Sequence, residues 1–202
     1  MVEISERNLK EAKELLSGIK NGMEKATSRA INHTTSKAKT KIKRLVSKGY
    51  YIKQSDIDKT LKVKKASWHN PFSTITSRSG VLTLDKFRVT VKNGTVKAAI
   101  SKVVGYKERK NTFAVNVKDF NGGSWREVNG KKRFLPSFSH KSGVRVFKRK
   151  GKKRLPIEAQ SGASVPGMIA SENVLEVLSD FVIKETEVRL EHEVGRILGG
   201  YR

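Results

Sequence analysis

The chain has 202 residues, 36% of them hydrophobic and 31% charged, and its 43 Lys+Arg against 19 Asp+Glu give a formal net charge of +24. The length is enough to bury a core, and the absence of Cys excludes a disulfide framework, a thiolate metal site and a Cys nucleophile. So large a charge predicts attraction to polyanions and self-repulsion in the compact state; it bears on partners and solubility, and leaves the fold open.

The charge is uneven. Residues 1–70 carry 17 basic and 7 acidic side chains, 71–166 carry 22 and 5, and 167–202 carry 4 and 7. The last segment therefore has the opposite sign to the rest, a pattern that often marks an interaction surface. The opening Met1-Val2-Glu3-Ile4 runs into charged sequence, so no secretory leader is expected. No stretch approaches the roughly 20 apolar residues of a membrane span.

In chain order, Ser5 and Glu6 read as the start of a helix running to about Ser17, with Glu6 and Lys10 a favourable pair four residues apart. A longer helix follows, in which Met23, Ala26, Ala30, Thr34, Ala38, Ile42 and Leu45 recur every three or four residues, with Gly49 as its end. Much of that stripe is small, which permits close approach of a neighbour. Ser55 is expected to cap a short helix from Asp56, with Ile57 and Leu61 on one side. Strand-like runs then appear at Phe72–Thr76, Phe87–Lys92, Thr95–Ile100, Thr112–Lys118 and Val144–Lys148. Asn93-Gly94 between two of them signals a tight hairpin, because both residues tolerate the positive φ of a type I′ turn. Asn121-Gly122-Gly123, Asn129-Gly130 and Lys150-Gly151 punctuate the remainder. Ser171 can cap a final helix with a seam of Leu175, Leu178, Val182, Thr186, Leu190, Val194 and Ile197, closed by Gly199-Gly200. The expectation is a single α+β domain: N-terminal helices over 1–61, a central antiparallel sheet of hairpins over 62–160, and a long C-terminal helix over 164–198, packed on one face.

Chemistry is sparse. His33, His69, His140 and His192 are far apart and form no HExxH or related spacing. There is no phosphate-binding glycine loop, no G-x-S-x-G, and Ser161-Gly162-Ala163-Ser164 has no His or acid tied to it by spacing. Neighbouring lysines make Asp56 and Asp58 a solvated helix start. The reading is a protein that is not an enzyme and takes no cofactor or metal.

Two basic clusters remain. Lys148, Arg149, Lys150, Lys152, Lys153 and Arg154 put six cations into seven residues around Gly151, so this loop projects into solvent or faces a polyanion. Lys37, Lys41, Arg44 and Lys48 form a second stripe beside the apolar face of the long helix. Both are candidate contacts with a polyanion or a partner, weighed against plain solvated surface. With Phe147 the nearest aromatic, neither cluster is a base-stacking platform.

The stretch GVRVFKRKGKKRLPIEAQSGASVPGM, residues 143–168, resembles the minor tail protein Z family of long-tailed phages. The resemblance rests on Arg154-Leu155-Pro156-Ile157-Glu158 after a basic turn, then Gly162-Ala163-Ser164-Val165-Pro166 before the last helix. Upstream, Ala30-Ile31-Asn32, a short helix with Leu61-Lys62-Val63-Lys64-Lys65-Ala66-Ser67, and Ser77-Arg78-Ser79-Gly80 are similar to it as well. Asn111-Thr112-Phe113-Ala114 departs from the family's G-A-F, and 119–142 reads as an extra or enlarged hairpin. Pro156 and Pro166 are expected to hold Leu155 and Val165 extended. The resemblance implies a virion component of the tail, made in the host cytoplasm, that completes the head-proximal end for head–tail joining and DNA passage. It also implies that several copies assemble as a ring, in contact with other tail and neck proteins and with the passing genomic DNA. In such a ring Glu172, Glu176, Asp180, Glu187 and Glu191 of the last helix are the candidate acidic interface, facing a neighbour's basic surface. Composition alone also supports a ribosome-associated or DNA-packaging nucleic-acid-binding protein.

Overall fold

Small side chains decide how the longest helices meet. In the computed structural model, which describes residues 6–19, 21–92, 95–128, 131–153 and 156–199 (side chains outside 6–9 and 115–144), the chain divides into two units. The first comprises Met1–Lys48, Lys53–Gly80 and Ser164–Arg202, and the second Gly49–Ile52 and Val81–Ala163.

The first unit begins with α1 (Glu6–Leu15) and α2 (Gly22–Gly49). Ala26 and Ala30 of α2 are 0% and 1% exposed. With Ala12 and Leu16 they form a cluster against Leu190 and Val194 of the last helix, with Met23 and Ile197 at its edge. The expected stripe holds through Ile42 and then passes to Val46, fully buried, rather than Leu45. The shift follows from 3.6 residues per turn, which moves a strict repeat around a straight helix. α3 (Gln54–Asp58) starts one residue before Ser55, with Lys53 at the N-cap and no side-chain cap, so Ser55 lies within the helix. Ile57 is fully buried, as its helical position predicts.

Leu61–Lys64 is a strand, β1, and not helix as the family resemblance implied; it pairs antiparallel with β2 (Thr74–Ser77) in the register Leu61↔Ser77 to Lys64↔Thr74. Alternation is the reason: Leu61 is buried and Val63 half-buried while Lys62 and Lys64 are exposed, a period of two. Phe72 lies before β2 and is exposed. One side chain ties this hairpin to α2. The Asn32 amide donates from Nδ2 to the Ala66 carbonyl at 2.9 Å and accepts the Ala66 N–H on Oδ1 at 2.8 Å. Ala66 is buried, so both of its backbone groups depend on that amide. Asn32→Ala is expected to destabilise the protein by about 1–3 kcal/mol through those stranded groups, read as a lower urea midpoint at unchanged slope.

The C-terminal helix is divided. Ser164 caps α4 (Val165–Ile169), its hydroxyl accepting the Gly167 N–H at 3.2 Å, and Pro166 sits in the first turn. Val165 is therefore helical and not extended, a correction explained by Pro's preference for the first helical turn. The Val165 N–H donates to Ser79 Oγ at 3.3 Å, which joins the two stretches Ser77–Gly80 and Gly162–Pro166 singled out in the sequence. α5 (Glu172–Leu198) follows, with Ser171 at its N-cap; the hydroxyl donates back to the Met168 carbonyl rather than capping α5. Gly199 is the C-cap. The seam is buried at Thr186, Leu190 and Val194, but near its start Val174 is buried and Leu175 is exposed.

In the second unit β3 (Val81–Thr83) pairs with a late strand and leads through a 3-10 turn, Leu84–Lys86, into β4 (Arg88–Lys92). β4 and β5 (Thr95–Ala99) pair antiparallel with Lys92 opposite Thr95, the register of a two-residue hairpin loop; Asn93-Gly94 itself lies outside the described residues. β6 (Tyr106–Arg109) adds to β5. Gly105 and Asn111, with φ of +70° and +58°, turn the chain before and after β6. β7 (Thr112–Val128) and β8 (Lys131–Arg149) form one long ribbon with irregular register between Lys118 and Gly123, so the enlarged hairpin over 119–142 continues the two expected strands. Asn129-Gly130 lies outside the described residues, between Val128 and Lys131, which pair. β9 (Ile157–Ala159) completes that sheet and β10 (Ser161–Ser164) pairs with β3. In place of one central sheet, the strands among the described residues form four sheets of two or three strands each. Leu84, Phe87, Val96, Ala98, Ala99 and Val146 are buried here.

The expected start at Ser5, the side chains of Glu6 and His140, and the end at Gly200 lie outside the described residues.

Candidate functional site

The acidic residues of α5 form a surface. Glu172, Glu176, Asp180, Glu187 and Glu191 follow one another at spacings of four, four, seven and four. At about 100° per residue they stay within one side of the helix. All are exposed except Glu187, which is half-buried. Phe181 and Glu185, on another side of α5, face α2.

The basic stripe of α2 comes apart into different roles. Lys37 forms an ion pair with Glu185, and Lys41 lies over the Phe181 ring at 5.2 Å. With Arg44 and His33 they line a groove of about 590 Å³ between α2 and α5. Lys48 is exposed and lies outside that groove. His33 is held below the ordinary imidazole range, first by partial burial and then by the nearby Arg189 and Lys37 cations. It therefore stays neutral at pH values where a free His begins to charge.

Two lysines outside the predicted stripe hold α3 to α2. Lys39 and Lys43 reach Asp58 Oδ1 at 3.0 and 3.1 Å. Their hydrogen bonds, Lys39 first, keep the Asp58 carboxyl below its usual value despite some desolvation. A depressed folded value means the pairing stabilises above the unfolded pKa and is lost as pH falls through the folded one. An NMR titration is expected to place Asp58 below an ordinary aspartate, and Lys39→Ala with Lys43→Ala should return it to the usual range.

The basic cluster after β8 is a projecting turn. The Lys150 N–H donates to the Pro156 carbonyl at 3.1 Å and Arg149 pairs with Ile157 in register, closing the turn at its base. Lys148, Arg149, Lys150, Gly151, Lys152 and Lys153 are all exposed, and Arg149 also lies over Phe113 at 5.2 Å. Arg154 and Leu155 lie outside the described residues. The second unit carries 21 basic and 5 acidic side chains, most of the chain's net charge.

One charged group lies where the sequence reading placed none. Glu193 is 1% exposed, and its carboxylate takes an ion pair from Arg189 and another from Arg196 at 3.4 Å. The spacing Arg189-x-x-x-Glu193-x-x-Arg196 is the signal that could have revealed it, since positions three and four apart share a helix side.

Among the described residues no group of three or more His, Asp or Glu side chains is placed to hold a metal ion, and no helix is long and apolar enough to cross a membrane. The arrangement is that of an α+β protein whose long helices carry charged faces of opposite sign. Over residues 7–196 the chain matches prophage minor tail protein Z, and it belongs to that family. No curated protein and no solved structure matches it. Family membership makes the chain a structural component of a phage tail, with other tail proteins as neighbours and the virion as its setting.

Proposed function

We propose that the chain completes the head-proximal end of the tail as a homo-oligomeric ring, so that head and tail join and genomic DNA passes. The observation that carries this reading is the pair of exposed surfaces of opposite sign on separate elements: the acidic side of α5 and the basic turn over Lys148–Lys153. A ring needs a heterologous interface, in which one patch meets a different patch on the next copy. Exposed ion pairs contribute only about 0–1 kcal/mol each, so the charges set register while apolar burial supplies affinity. The basic turn faces the passing DNA or an acidic neighbouring tail protein. Its contact with DNA weakens as salt rises, because bound counterions are released on binding.

Reversing two acids, Glu176→Lys with Asp180→Lys, tests the reading. Unjoined heads and tails in electron micrographs, with a fall in infectious titre of at least tenfold, are expected. Normal particles at normal titre would remove the acidic side from the assembly.

A further inference from the structure

The loop between β1 and β2 carries aromatic side chains that the core does not use. Trp68 is 50% exposed and Phe72 71% exposed, with the Trp68 and His69 rings 4.2 Å apart. The loop is held in shape. Ser67 and Asn70 exchange backbone hydrogen bonds of 2.8 and 3.1 Å, Ser73 Oγ donates to the Lys64 carbonyl at 2.8 Å, and Asn32 clamps Ala66 at its start. A pre-shaped loop loses little entropy on docking, and an exposed Trp on such a loop has the character of a binding anchor. Lys62, Lys64 and Lys65, all exposed, flank it with positive charge.

The same unit carries a counterpart. Between α1 and α5 lies an apolar groove of about 290 Å³, lined by Leu15, Leu190, Val194 and Leu198, with Glu11 and Glu191 among its lining residues. Leu15 is 59% and Leu198 46% exposed, so the groove is open to a visitor. Its size suits one aromatic side chain, and its acids match the lysines beside the aromatic loop. Loop and groove are different patches, which is the geometry of a head-to-tail contact.

We propose that the Trp68–Phe72 loop of one copy seats in the Leu15/Leu198 groove of the next. This rests on the ring reading above and names its apolar contact. The chain has no Cys, so introduced cysteines report on this contact without background from its own thiols. Particles assembled from a mixture of full-length Trp68→Cys and Leu198→Cys chains should yield a disulfide-linked dimer on mild oxidation, while particles made from either variant alone should not. Trp68→Ala, with an unchanged circular dichroism spectrum, should weaken self-association by about tenfold or more, the loss typical of a buried Trp anchor. Several copies per particle with no Trp68–Leu198 cross-link would overturn this contact and leave the ring intact. A single copy per particle would overturn both. Cross-linking of Trp68→Cys to a different tail protein would also overturn it.

Discussion

Replacing Arg189 and Arg196 together with Met is expected to lower stability by about 3–5 kcal/mol at neutral pH, the usual cost of stranding a buried charge. Glu193 is almost wholly buried, and both guanidinium groups form ion pairs with it. Without them, a carboxylate is left buried with its charge uncompensated. Adding Glu193→Leu to the pair of Met substitutions should restore most of the loss, since an apolar trio of similar volume is often as stable as the ionic one. Urea unfolding of the double and triple variants at neutral pH checks both. A double variant as stable as the parent would show that Glu193 does not depend on these two partners.

The second large effect is expected at Gly162. A Cβ there would stand 2.5 Å from Phe87 Cε2, 3.0 Å from Cδ2 and 3.1 Å from Ile100 Cδ1. Phe87 is 8% exposed, so its ring has little room to withdraw. Gly162→Ala should destabilise by about 1–3 kcal/mol, as overpacked cores do. Phe87→Leu in the same chain should relieve part of that cost, and the coupling between the two changes should be visible in a double-mutant cycle. If the two costs simply added, the ring would not be what excludes the side chain.

These two sites show what the sequence made legible and what it hid. The long helices were readable because burial is periodic: Ala26, Ala30, Ala38 and Ile42 are all buried. The β4–β5 pairing was readable because two strand-like runs stand two residues apart in the sequence, and Lys92 pairs with Thr95. β1 was not, since a Lys-rich run of four alternates too briefly to be told from a helix end. β3, β6, β9 and β10 are three or four residues long, too short to show a period of their own, and β3 and β10 pair with each other across some 80 positions. Glu193 was hidden because a carboxylate in a charged helix reads as surface, and its burial depends on tertiary packing. The motif residues gain a physical account that sequence alone withheld. Asn32 clamps Ala66, Ser79 meets Val165, and Gly162 makes way for Phe87. Each is a fold-defining contact.

The charged surfaces stand differently. The acidic side of α5 and the turn after β8 were legible as residues, and both are exposed. The basic stripe on α2 was legible as a pattern but not in its roles, because Glu185 and Phe181 come from a helix some 140 positions away in the chain. A side chain's charge is local information; the partner that engages it is not.

The most direct measurement is the copy number and position of the chain in purified particles, by quantitative mass spectrometry together with electron cryo-microscopy. The account predicts several copies arranged as a ring at the head-proximal end of the tail. Absence from mature particles, or a single copy elsewhere on the tail, would contradict it.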